Sequence, residues 1–131
     1  MGEKALVESQ IADAVQLIQK LDADGNSPSL AAWYFYDDVD VWRLVIAGPA
    51  FDALLPKQEA VAYRKLVEAM ANLSLSSLSV SDLKLVSTNS PLPQALRILI
   101  RTSSTGTSRA HFANTTLNGI FMKEMIILRS A

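Results

Sequence analysis

The sequence predicts an α+β fold: a single domain, residues 1–131, with a mainly antiparallel sheet of about five strands and about three helices packed on it. Three observations lead to this prediction. The N-terminal segment has a helical hydrophobic period, aromatic and β-branched residues concentrate in short runs, and Asn118-Gly119 separates two such runs. The five strands are then two hairpins and one further strand.

The first predicted element is an amphipathic helix from about Glu3 to Asp22. Gly25 and Pro28 end it, because glycine tolerates a positive φ and proline cannot continue a helix. Apolar residues recur in this segment at steps of three and four, as on one helix face: Val7, Ile11, Ala14, Ile18 and Leu21.

A hairpin is predicted between Leu30 and Gly48. Aromatic and β-branched residues dominate this stretch, and Asp37-Asp38-Val39-Asp40 interrupts it in the middle. The first strand alternates its side chains, so Trp33 and Phe35 share one face, opposite the neighbouring tyrosines.

Clustered aromatic residues are also typical of stacking platforms for bases or sugars. The cluster here comprises Trp33, Tyr34, Phe35, Tyr36 and Trp42. Only Arg43 adds positive charge to it, and therefore packing in the core or at an interface is favoured.

The middle of the chain is predicted to hold a helix, roughly Lys57 to Leu73, then a loop or short turn and a strand near Lys84 to Ser87. Residues 91–102 fit two periods. A hydrophobic residue at every second position indicates a strand, and a hydrophobic repeat of 3.6 residues indicates a helix. Ser90 as an N-terminal cap and Pro91 in the first turn favour the helix.

A C-terminal hairpin is predicted around Asn118-Gly119, the strongest two-residue turn signal in the chain. Its second strand contains the apolar run FMKEMIILRS. We expect this run to form a core or edge strand, and an uncovered edge would pair with another copy of the chain.

Composition excludes several function classes. Twelve Lys and Arg oppose 13 Asp and Glu, and the net charge of −1 gives no global field that attracts nucleic acid. Absence of cysteine excludes thiolate metal sites, disulfides and thiol nucleophiles. The N-terminal segment has neither the apolar core of a signal peptide nor a membrane span, so we predict a cytoplasmic protein without a membrane partner.

Asp37, Asp38 and Asp40 form the first candidate site, for a divalent cation. Carboxylate oxygens suit Mg²⁺ and Ca²⁺, but the further ligands of a calcium loop are missing. Aspartate is also a common turn former, and clustered charges keep a hairpin tip solvated. The turn interpretation is therefore favoured over the metal site.

Arg97, Arg101 and Arg109 form the second candidate site, together with His111. Guanidinium groups bind phosphate bidentately, and the loop TSSTGTS between them supplies hydroxyl and N–H donors. The sequence lacks a P-loop, and a solvated helix face that carries Arg97 and Arg101 into a flexible connection is favoured over the phosphate site. As the only histidine, His111 is the one candidate for imidazole acid/base chemistry, although no nucleophile elbow accompanies it.

The first functional hypothesis is a small binding or assembly domain without catalysis, acting as a homo-oligomer or in a larger complex. An apolar surplus of 50% hydrophobic residues, near-neutral charge and the lack of a catalytic motif support it. The alternative is a protein or enzyme that binds a phosphate-containing ligand, a nucleotide or nucleic acid, through the Arg/His set. In this alternative, the three aspartates would hold Mg²⁺ for the phosphate ligand only if they lie near those arginines. No cofactor is predicted.

Overall fold

The computed structural model describes Leu6 and residues 8–131. Five strands form one sheet in the order β3-β2-β1-β5-β4. The helices are α1 (Glu8–Ala23), α2 (Pro49–Asp52), α3 (Glu59–Ala71) and α4 (Pro91–Leu99), and the strands are β1 (Leu30–Tyr36), β2 (Val41–Ala47), β3 (Leu83–Leu85), β4 (Ala110–Leu117) and β5 (Ile120–Ser130). Within the described ranges no helix is long and apolar enough to cross a membrane.

The predicted α+β class and mainly antiparallel sheet are confirmed. Both hairpins form, β1 with β2 and β4 with β5, and β5 joins the two hairpins by pairing antiparallel with β1. The exception is β3, which has three residues and runs parallel to β2.

Most predicted boundaries lie close to the observed ones. The predicted start of the first helix, Glu3, falls outside the described residues. Residues 91–99 form a helix, as the cap and proline signals favour, and Pro91 occupies its first turn. One helical turn, α2, lies where the sequence indicated only a connection, and it buries Phe51.

The sheet has helices on both faces. On one face α1 and α3 pack against Trp33 and Phe35, and on the other face α4 packs against Ala32 and Tyr34. Trp33 and Phe35 are almost completely buried. The predicted alternation of the first strand is thus confirmed, and the strand aromatics pack in the core.

The C-terminal hairpin turns at Asn118-Gly119 because both residues adopt a positive φ, 51° and 77°. Two consecutive positive φ values produce the turn whose twist matches that of paired strands. Since β4 and β5 stay in one register from Ala110↔Ile127 to Leu117↔Ile120, this turn determines which residues of β4 lie opposite β5.

Asp13 fastens the segment after α3 to α1. Its Oδ2 accepts hydrogen bonds from the backbone N–H groups of Ser76, Ser77 and Leu78, at 3.0, 2.6 and 2.9 Å. Burial favours the neutral acid and raises the pKa of Asp13, but these backbone donors outweigh burial, so its pKa is lower than usual. The buried carboxylate therefore satisfies donors that no helix or strand supplies with a partner.

Arg129 fastens the C-terminal strand to the end of α1. Its side chain is fully buried, and both Nη atoms donate to the Asp22 carboxylate at 2.8 Å. The carbonyl oxygens of Gly106 and Pro28 accept its remaining N–H groups. The hydrogen bonds from Arg129 hold the pKa of Asp22 below its usual value, against the opposing effect of burial. All polar atoms of the guanidinium thus have partners inside the protein.

We predict that Asp13→Asn lowers the free energy of unfolding by about 2 kcal/mol at pH 7, because it removes the charged acceptor shared by three backbone donors. Urea denaturation measures the loss. Asp24→Asn is the control, since Asp24 forms a surface ion pair with Lys20 and should cost less than about 0.5 kcal/mol. Equal losses in the two variants would contradict the role of Asp13 in holding the segment after α3 against α1.

Candidate functional site

The two edges of the sheet differ in length and in protection. At one edge, β3 has only three residues, and the N–H group of Leu85 donates to the Tyr63 hydroxyl at 3.0 Å. At the other edge, β4 has eight residues, and among the described residues no strand pairs with its outer side. Only the β4 edge therefore offers a long row of backbone donors and acceptors.

The sequence of β4, AHFANTTL, contains no Lys, Arg, Asp, Glu or Pro. Native proteins usually protect an edge strand with such residues, or with an irregular backbone. Here the backbone irregularity is confined to Asn114, near the middle of the strand, whose φ is 49°. The ends of β4 thus keep regular extended backbone.

Side chains of β4 alternate on each side of this irregularity. Their burial pattern from Ala110 to Leu117 is half-buried, exposed, half-buried, exposed, and then the same series in reverse. The half-buried residues at both ends of the strand pack on the α4 side of the sheet, among them Ala110, Phe112 and Leu117. The pattern is therefore the same when read from either end of the strand.

The three aspartates of the first candidate site form the turn between β1 and β2. Asp37, Asp38 and Asp40 are all exposed, and Asp40 has a φ of 58°, the left-handed conformation that aspartate tolerates in turns. The described residues contain no group of three acidic or histidine side chains positioned to hold a metal ion.

The aspartates and Arg101 lie toward opposite ends of the sheet. The turn 37–40 follows Tyr36, at the end of β1, whereas Leu30 at the start of β1 lies opposite Ser130. Next to Arg101, the N–H of Thr102 donates to the Ser130 carbonyl at 2.7 Å. A seven-residue strand is about 20 Å long, and this length separates the aspartates from Arg101. The phosphate hypothesis with Mg²⁺ requires these groups to lie close together, and the structure does not bring them together.

The four basic residues of the second candidate site do not form one cluster. The guanidinium of Arg109 contacts the Glu8 carboxylate on α1, while Arg97 belongs to α4 on the other face of the sheet. The ring of His111 lies 2.8 Å from a carboxylate oxygen of Glu124. Two of the four groups thus already have carboxylate partners.

Arg109 and Glu8 lie beside a groove of about 470 Å³ between α1 and the residues before β4. Ile11, Val15 and Leu128 contribute its apolar lining. Hydrogen bonding by Arg109 lowers the pKa of Glu8, which is a largely exposed residue. The pair is a surface ion pair, and such pairs contribute little to stability.

Arg97 differs from the other basic residues because its Nε atom is buried and has no hydrogen-bond partner in the described part of the protein. A buried N–H without an acceptor lowers the stability of the folded state. This atom is the one feature of the Arg/His set that calls for an additional acceptor.

The sequence left open whether its C-terminal apolar run forms a core or an edge strand. The run FMKEMIILRS belongs to β5, an interior strand between β1 and β4. The uncharged run Ala110 to Leu117 was the available signal for the edge. It was missed because strand order depends on β5 reaching β1, a contact between residues about a hundred positions apart.

Comparisons of the chain with protein-family models, with curated proteins and with solved structures gave no match. The candidate site therefore depends on the geometry of β4 alone.

We predict that Asp40→Gly is more stable than Asp40→Ala by about 1 kcal/mol, because only glycine adopts the left-handed backbone without a Cβ penalty. Thermal unfolding of both variants measures the difference. In the same experiment, millimolar Mg²⁺ or Ca²⁺ should leave the melting temperature of the unsubstituted protein unchanged. A rise that disappears in Asp40→Gly would instead favour a metal site over a simple turn.

Proposed function

We propose that the protein is a binding or assembly domain without catalysis of its own, and that its partner adds a strand to the sheet along β4. The observation that carries this proposal is the eight-residue, uncharged outer edge of that strand. We also propose a cytoplasmic location, in keeping with the prediction from the sequence.

Strand addition supplies affinity mainly through main-chain hydrogen bonds, and pockets or faces for alternate side chains supply specificity. The β4 edge has both components. Its backbone is extended on each side of Asn114, and the half-buried Phe112 and Leu117 present apolar surface next to the row of backbone groups. A partner strand would cover part of that surface while pairing with the edge.

We predict that Ala113→Lys combined with Thr116→Lys strongly reduces partner capture. Both side chains are exposed on β4, and lysines on an edge strand oppose the approach of another strand. The measurement is affinity purification from cell extract, with an untagged copy of the chain included, followed by quantification of every protein retained.

The matched control is Ala60→Lys combined with Thr105→Lys, which adds the same charge at exposed positions on α3 and in the loop before β4. Circular dichroism verifies that both variants fold. Strand addition is supported when a protein retained by the control is lost with the β4 variant. Equal retention by both variants, or no retained protein with any bait, contradicts it.

Binding of a phosphate-containing ligand, a nucleotide or nucleic acid, is the second proposed function, and the buried Nε of Arg97 favours it. An anion beside α4 would accept a hydrogen bond from this atom, and Arg101, two residues beyond the helix, would add a second guanidinium. The aspartates of the β1–β2 turn have no part in this version of the hypothesis.

We predict that pyrophosphate in large excess raises the melting temperature by about 3 °C if this second function is correct, because a ligand of the native state stabilises it by mass action. Arg97→Ala should remove the rise. Arg64→Ala is the control, since Arg64 is exposed on α3, which packs on the opposite face of the sheet. A rise that persists in Arg97→Ala would exclude Arg97 as the ligand-binding residue.

A further inference from the structure

We infer that the strand added to β4 is the β4 strand of a second copy, paired antiparallel about a twofold axis between Ala113 and Asn114. The two copies then share one continuous sheet with five strands from each. This inference rests on the proposed function, since it names the partner for the strand-addition site.

The side-chain pattern of β4 favours self-pairing. Antiparallel pairing about a twofold axis requires that opposite residues point to the same face of the sheet. The axis between Ala113 and Asn114 places Ala110 opposite the second copy's Leu117 and Phe112 opposite its Thr115, and all four positions are half-buried. The exposed positions, 111 and 116, likewise meet each other.

The irregular backbone of Asn114 agrees with this axis. Its positive φ coincides with the point where the alternation of the strand reverses. With the axis at any other position that pairs more than three residues of the strand, half-buried residues of one copy would face exposed residues of the other. The midpoint of the strand is therefore the position at which both regular halves pair together.

Charge favours a second copy over a charged partner. The only ionisable side chain on β4 is His111, whose ring contacts Glu124 of the neighbouring strand. Two copies bring no lysine, arginine or carboxylate of β4 against one another. An acidic or basic partner strand would find no complementary charge on β4.

The opposite edge of the sheet limits the assembly to two copies. At β3 the backbone N–H of Leu85 is already bonded to Tyr63, and the strand is too short to accept an eight-residue partner. Since β3 is not available for pairing, the symmetric contact between two β4 strands uses the open edge of both copies at once. The assembly closes as a dimer and does not grow into a filament.

Two cysteine variants test the inference, and the cysteine-free chain makes them specific. His111→Cys and Thr116→Cys are purified separately, mixed and oxidised. Opposite residues of antiparallel strands have Cα atoms about 4.5–5.5 Å apart, within the range that a disulfide spans. We expect a disulfide-linked dimer in the mixture and little in either variant alone, where the two cysteines lie five residues out of register.

The control mixture combines Thr116→Cys with Phe121→Cys. Phe121 is an exposed residue of β5 opposite Thr116 in the same copy, and it lies away from the proposed partner. Sedimentation of the unsubstituted protein should show a monomer–dimer equilibrium, and the two-lysine β4 variant should weaken the dimer on the order of tenfold.

The outcomes separate this inference from the proposed function. A dimer with the 111–116 cross-link supports both. A dimer without that cross-link overturns pairing through β4. A monomer that captures another protein through β4 overturns the second copy as partner and leaves strand addition in place. A monomer that captures nothing overturns both.

Discussion

Burial of β1 on both faces is the constraint on which the rest of the structure depends. Its residues from Leu30 to Phe35 are buried, and its side chains alternate between the cluster under α1 and α3 and the cluster under α4. A strand of this kind must lie inside a sheet and needs helices on both sides. β2 and β5 supply the neighbouring strands, and this leaves β3 and β4 at the edges.

Buried polar groups hold the connections to this core in place. Asp13 accepts hydrogen bonds from backbone N–H groups of the segment after α3. Arg129 donates to carbonyl oxygens of two loops and to the Asp22 carboxylate. Each group pairs completely, as a buried charge must if it is not to destabilise the fold. α1 is therefore fixed to the rest of the chain at both of its halves, and the surface pair of Glu8 with Arg109 adds a third, exposed contact.

The elements of the fold were predictable where a local signal exists. Hydrophobic period predicted α1 and α3, Asn118-Gly119 predicted the C-terminal hairpin, and Ser90 with Pro91 favoured a helix at α4. The parallel pairing of β3 was not predictable, because a three-residue strand has too few residues to show a period. Long-range features were also missed: the burial of Arg129 requires Asp22 and two loop carbonyls, which lie far from it in the sequence.

The candidate site was predictable only in its chemistry. An apolar surplus and a near-neutral net charge indicated association with another protein or another copy. The sequence also indicated that an uncovered edge strand would pair with another copy. It could not show that β4 was that edge, or that the aspartates and Arg101 lie toward opposite ends of the sheet, since both facts depend on strand pairing.

The order of the strands also determines when the sheet can form during synthesis of the chain. β1 emerges from the ribosome early, but the strand that covers its second edge, β5, comprises residues 120–130. Until those residues are released, the edge of β1 that faces away from β2 stays unpaired. Completion of the sheet must therefore wait until about a hundred further residues have followed β1, and during that interval the unpaired edge is open to premature association.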